Sequence, residues 1–154
     1  MTETLLEVED LKVYFPIDDG WQKRDRRVVR AVDGVSFSLQ RGEVLAIVGE
    51  SGCGKTTLGR TIVGLANPTA GTIEFRGKEI NKLSTDERRT YRQNVQMVFQ
   101  DPFDSMNPRK SAFQTIAEPL SFNKIVPKTE LRAEVLRLFD IVGLSPGEAY
   151  LNRS

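Results

Sequence analysis

The chain has 154 residues with 22 basic against 21 acidic side chains, a net charge of +1, 39% hydrophobic and 28% charged residues, one cysteine and no histidine. That composition suits one ordinary globular domain and leaves no run of about 18 apolar residues to cross a bilayer, no internal disulfide framework, and no overall field to attract nucleic acid. The N-terminal stretch MTETLLEVEDLK is acidic where a secretory signal is basic, which predicts a reducing cytoplasmic setting.

The segments LLEVEDLKVYF and VVRAVDGVSFSL are expected to form antiparallel strands with one wet face; in the second, Val35, Phe37 and Leu39 alternate with Gly34, Ser36 and Ser38. Between them, PIDDGWQKRDRR is turn-rich and mostly basic, and reads as a solvated loop. Residues 44–48, VLAIV, are continuously apolar, the pattern of a strand buried on both faces of a parallel sheet. Gly49, Gly54, Lys55 and Thr56 then fall as G-x-x-x-x-G-K-[ST], the phosphate-binding P-loop. Leu58, Ile62 and Leu65 follow at helical spacing, so strand, loop and helix come in the order that the motif requires.

The candidate nucleotide-contacting residues are Gly49, Glu50, Ser51, Gly52, Cys53, Gly54, Lys55, Thr56 and Thr57. Glycines let successive amides turn into one cavity at a helix N-terminus, where phosphate oxygens are welcome. Lys55 is a compact cation able to reach the β and γ phosphates of ATP, and the Thr56 hydroxyl is the expected Mg²⁺ ligand because hard cations prefer oxygen. Cys53 has two readings, a thiol activated by the helix terminus or a small residue tolerated in the loop; we adopt the second. Thiol catalysis paired with histidine is excluded by the absence of histidine.

Beyond the helix, residues 68–71 predict a turn, residues 72–75 a strand and Gly77 a second turn. Ser84 and Glu87 have the capping-box spacing of a helix start. VQMVF reads as a strand that ends at Gln100 before an Asp-Pro break, the kind of position where α/β proteins place ligand-facing groups. Near the C-terminus, Leu131, Val135, Leu138, Phe139 and Val142 share one helical face, with Gly143 as a stop.

Taken together, AVDGVSFSLQRGEVLAIVGESGCGKTTLGRTIVGLANPTAGTIEFRGKEI, VQMVFQDPFDSMNPR and EPL resemble the ATP-binding subunit of an ABC transporter, in particular the dipeptide and oligopeptide importer branch. The resemblance runs from about Leu5 to Leu144 and implies an α/β P-loop NTPase core. It adds an N-terminal antiparallel β subdomain and the start of a helical subdomain, with residues 1–110 holding the first two parts and 111–154 the third. It places Phe15, or Tyr14 as second choice, where the family stacks an aromatic on adenine. It gives Gln100 the Q-loop role of contacting Mg²⁺ or the attacking water, and makes Gln100 and Lys55 the catalytic candidates. The segment from Asp101 to Arg109 would receive a coupling helix of transmembrane permease subunits. A second ATP-binding subunit would complete the machine at the cytoplasmic face of the membrane, held there peripherally by its partners, with no role for nucleic acid.

The resemblance also implies motifs that SPGEAYLNRS, the last ten residues, stops short of: the LSGGQ signature, the second Mg²⁺ motif with its glutamate base, and the switch histidine. The expectation is an N-terminal portion of the ATP-binding domain, truncated before the signature, that does not hydrolyse ATP by itself and leaves VLAIV exposed for want of partner strands. The alternative is a non-hydrolysing stand-alone nucleotide-binding or regulatory module. A P-loop GTPase or small-molecule kinase fits less well, because NKLS and NKIV lack the aspartate of a guanine-reading N-K-x-D.

Overall fold

The structure, a computed structural model, describes residues 3–17, 27–100, 107 and 109–144. Its contacts divide the chain into two compact units, Met1–Met97 and Val98–Ser154.

The first unit is built on a four-stranded antiparallel sheet of β1 (Thr4–Pro16), β2 (Val28–Gln40), β3 (Ala70–Phe75) and β4 (Lys78–Glu79), in the spatial order β2-β1-β3-β4. The two predicted strands are both present and pair in long register, Val8 opposite Phe37 and Phe15 opposite Val29. Alternation, reset by a register shift between Val8 and Leu11, explains which face is dry. Val8, Leu11, Val13, Val32 and Ile73 are buried, while Val35, Phe37 and Leu39 pack against that cluster from partly covered positions. Each such side chain contributes about 1.5–3 kcal/mol when fully covered.

Helix α1 (Lys55–Ile62) lays Leu58 into this core, and helix α2 (Thr85–Asn94) adds Tyr91. The Tyr91 ring meets Phe75 edge-on at 5.3 Å, and its hydroxyl donates to the Ile62 carbonyl, so one side chain ties α2 to both the sheet and the end of α1. Burial pushes that phenol up to about 12, which keeps it a donor. The capping box at the start of α2 forms as its spacing predicts: Glu87 N donates to Ser84 Oγ at 3.4 Å and Ser84 N to Glu87 Oε2 at 3.0 Å. Leu65 departs from the helical reading. The helix ends at Ile62, Gly64 takes a left-handed conformation, and Leu65 turns outward because its amide closes the end onto the Arg60 carbonyl.

Two expected strands are absent. Residues 44–48 lie outside the sheet, with Val44 94% and Val48 88% exposed, and residues 96–99 are likewise unpaired, with Val98 95% exposed. The sequence preference for strand is real, but a strand is stable only through a ladder, and among the described residues none lies beside either segment.

The second unit is a helix pair, α3 (Ala112–Phe122) and α4 (Leu131–Ile141). Ala117, Leu120, Val135 and Phe139 form its core. Sequence reading anticipated α4 with Val135 and Phe139 on its buried face; Val142 lies past the last turn and is exposed. Gly143 terminates the helix at φ 72°, with Leu144 N donating to Phe139 O and Gly143 N to Asp140 O, both 3.0 Å. The sequence reading gave no bounds for α3 within residues 111–154, although Ser111 and Gln114 form a second capping box.

Candidate functional site

Helix α1 is the element that organises the site. It begins at Gly54, which has φ 95° and no capping side chain, and its first turn carries no acidic residue. The opening amides of α1 therefore face outward without a protein side chain to satisfy them, at the positive end of the helix. The position of that end is set by β2. A Cβ at Gly54 would lie 1.9 Å from the Ala31 carbonyl oxygen, so the loop rests on the backbone of the sheet edge at a distance that only glycine allows. Gly52 (φ 82°) bends the loop by the same left-handed freedom. Gly49 is glycine for a different reason: a Cβ there would come within 2.6 Å of Cys53 Sγ, which occupies the space beside it.

Lys55 is folded back over its own loop. Its ammonium donates to the carbonyls of Gly49 at 2.7 Å and Glu50 at 2.6 Å, and lies 3.4 Å from Cys53 Sγ. Cys53 N in turn donates to Glu50 O at 3.4 Å, closing the loop between residues 50 and 53. Thr56 is exposed on the first turn, whereas Thr57 gives its carbonyl to the Thr61 hydroxyl at 2.8 Å. Glu50 and Ser51 are exposed at the loop's outer side. The structure thus brings Gly49 to Thr57 together as one loop and helix start. Its glycine corners and uncapped amides fit a polyphosphate.

The aromatic candidates separate clearly. Tyr14 is committed: its hydroxyl donates to Asp33, its amide donates to Thr69 Oγ1 at 2.8 Å, and the Arg30 guanidinium lies 5.5 Å from its ring centre. The hydrogen bond to Asp33 raises the phenol's pKa, and the same bond holds the Asp33 carboxyl below its ordinary range. Phe15, the next residue along, is 45% exposed beside its cross-strand neighbour Val29. Gln100 is exposed, belongs to the second unit, and ends no strand, because residues 96–99 form none. The segment from Asp101 to Arg109, expected to receive a coupling helix, lies largely outside the described residues; Asn107 accepts from Arg109 N at 2.9 Å through Oδ1. Among the described residues no cluster of histidine, cysteine and carboxylate side chains is arranged to hold a metal. No described helix is long and apolar enough to cross a membrane. Sequence reasoning missed the Ala31 carbonyl as the seat of Gly54, a contact without any side-chain signature.

Residues 32–150 match the sequence profile described as ABC transporter. The oligopeptide transport ATP-binding protein AppF of Bacillus subtilis is 51% identical over 148 residues, 96% of this chain and 45% of its own length. OppF, the oligopeptide transport ATP-binding protein of Escherichia coli, is 44% identical over 147 residues, covering 94% and 44%, and DppF, the dipeptide transport ATP-binding protein of the same organism, is 42% identical over 144 residues, covering 94% and 43%. The chain therefore spans less than half the length of these relatives. Among solved structures, a dimeric ATP-binding cassette in a post-hydrolysis state with ADP and Pi superposes with a TM-score of 0.73 at 22% identity, over 97% of this chain and 61% of that one. The Clostridium perfringens protein cbiO1, part of the ABC transporter complex cbiONQ, superposes with a TM-score of 0.65 at 28% identity, over 97% and 53%. The fold is that of ABC ATPase cassettes, and the chain belongs to the ABC transporter family.

Proposed function

We propose that this chain is the nucleotide-binding part of a subunit that energises peptide import through ATP binding and hydrolysis. The observation that carries the reading is the loop from Gly49 to Thr56, pinned by Gly54 on Ala31 and centred on the Lys55 ammonium. In this reading the phosphates take over Lys55 from the carbonyls of Gly49 and Glu50, so the lysine exchanges two neutral partners for charged ones. The amides opening α1 hold the oxygens in place, and Thr56 offers its hydroxyl to Mg²⁺. When bound, the ion neutralises phosphate charge. Phe15 is the adenine platform, since Tyr14 is already engaged by Asp33 and Arg30.

The further assignments rest on the relatives, which are peptide-transport ATP-binding proteins by name. We assign Gln100 to contact with Mg²⁺ or the attacking water, the segment from Asp101 to Arg109 to a permease subunit, and the whole subunit to a pair at the cytoplasmic membrane face. In the same reading residues 1–110 hold the β subdomain and P-loop core, and residues 111–154 begin the helical subdomain. Binding is assigned to this span and turnover to the whole subunit, so phosphate release by residues 1–154 is expected at background.

The test is ATP titration of the wild-type chain and of Lys55→Ala by calorimetry. A desolvated, charge-assisted phosphate contact is worth about 1.5–3 kcal/mol, which predicts a loss of more than tenfold. Equal affinity in the two proteins would refute the assignment of the loop.

A further inference from the structure

Just past the end of α1 that lies opposite the P-loop, a small cleft opens between the segment 64–67, the turn at residues 80–81 and α2, with Asn67, Asn81, Arg88, Tyr91 and Arg92 in its lining. Arg88 and Arg92 are four residues apart on α2 and so share one face, where two like charges oppose each other. Ion pairs elsewhere engage Lys12, Arg30, Arg41, Lys78, Lys82, Lys110 and Arg137, but neither arginine of the cleft has a carboxylate partner among the described residues. No carboxylate lines the cleft either.

The ordinary explanation for cations at a helix C-terminus is that they satisfy its last carbonyls. That explanation fails here, because those carbonyls have other donors. Gly59 O accepts from Val63 N, Arg60 O from Leu65 N and Ala66 N, Thr61 O from Gly64 N, and Ile62 O from the Tyr91 hydroxyl. Among the described residues, the hydrogen bond of the Arg88 side chain is a long one, Nη2 donating to Leu83 O at 3.5 Å. Two arginines and two asparagines therefore line one cleft, and among the described residues the Leu83 contact of Arg88 is the one hydrogen bond that engages their side-chain donors. Guanidinium forks match the oxygen geometry of phosphate and carboxylate, and carboxamide N–H groups add further donors.

We propose that this cleft is an oxyanion site, in which Arg88 and Arg92 bind one phosphate or carboxylate group with Asn67 and Asn81 beside it. Its small size suits a single anionic group and not a nucleotide. It is separate from the P-loop by the length of α1, about 12 Å for its eight residues.

The experiment follows the arginine Nε–H signals of the full chain by NMR while inorganic phosphate, acetate or chloride is added at matched ionic strength. A Lys55→Ala background removes the lysine contact of phosphate in the P-loop. The expected result is saturable movement of the Arg88 and Arg92 signals with phosphate, acetate or both, but not with chloride, and a loss of at least about tenfold in affinity for Arg92→Gln. Movement with phosphate alone assigns a phosphoryl group, and equal movement with acetate assigns any carboxylate or phosphate. Because Arg92 is exposed, that variant is expected to keep its fold, and Arg92→Lys, which retains charge but loses the fork, should fall between the two. Uniform, unsaturable movement of all arginine signals, or unchanged affinity in Arg92→Gln, would overturn the proposal.

Discussion

Replacing Gly54 by alanine tests how the P-loop is seated, and Gly42 supplies its control. Both glycines have left-handed backbones, φ 95° and 81°, so alanine at either position incurs a conformational cost of about 1–2 kcal/mol. At Gly42 nothing lies within 4 Å of the new methyl group. At Gly54 the methyl would sit 1.9 Å from the Ala31 carbonyl oxygen and 3.1 Å from its carbon. Ordinary contact begins at 3.4 Å, so the shortfall against the oxygen is 3.4 − 1.9 = 1.5 Å, and both obstructing atoms are backbone of β2 that cannot rotate away. Overpacking of this kind adds about 1–3 kcal/mol, for a total near 2–5 kcal/mol at Gly54. Urea denaturation followed by circular dichroism should show a clearly larger loss of stability for Gly54→Ala than for Gly42→Ala. ATP titration should show weakened binding only in the former, since relief of the clash moves the start of α1. Equal losses in the two variants would mean that the seat on Ala31 is not a close contact in solution, and the account of the loop would fail.

Phe15→Ala should weaken ATP more than inorganic triphosphate, because the ring sees only the base; if Tyr14→Ala gives that pattern instead, the platform has been assigned to the wrong aromatic. Ser84→Ala removes the cap of α2 and should cost about 1 kcal/mol in urea denaturation, with no cost counting against the capping assignment. The Lys78 ammonium, 2.6 Å away, and the Ser84 amide and hydroxyl depress the Glu87 carboxyl from 4.5 to about 2. A depressed folded-state value means that this stabilisation is present above pH 4.5 and is lost as pH falls towards 2. Glu87→Gln should accordingly flatten the acid limb of the melting temperature in that window, and an unchanged acid limb would contradict the arrangement of these groups.

The parts of the molecule that local chemistry dictates were readable in advance. The β1–β2 pair follows from alternation, the start of α2 from Ser84 and Glu87, and the P-loop from its glycine, lysine and threonine spacing. The parts that depend on distant partners were not. VLAIV has a strong strand preference, yet remains exposed because no strand among the described residues offers it a ladder. The same holds for VQMVF, which leaves Gln100 without the strand end that its reading assumed. Helix α3 carries Pro119 in its interior, which weakens the helical signature that the Ser111 and Gln114 spacing opens. At the candidate site the sequence proposes residues, but three relations among them required coordinates: the backbone contact of Gly54 with Ala31, the folding of Lys55 onto two carbonyls, and the capture of the Tyr14 hydroxyl by Asp33.

The uncovered run at residues 44–48 also has a colloidal consequence. Five uncharged, β-prone residues without proline make a sticky window, the kind that zips with identical copies when many chains are crowded together. Arg41 and Glu43 stand just before it and Glu50 just after, and charges so placed act as gatekeepers, since stacking identical strands in register would pile like charges on one another. The protection is electrostatic. Added salt screens it while leaving the apolar attraction intact, so concentrated solutions of this span are safest at low ionic strength, the reverse of the usual practice of adding salt to keep a protein dispersed.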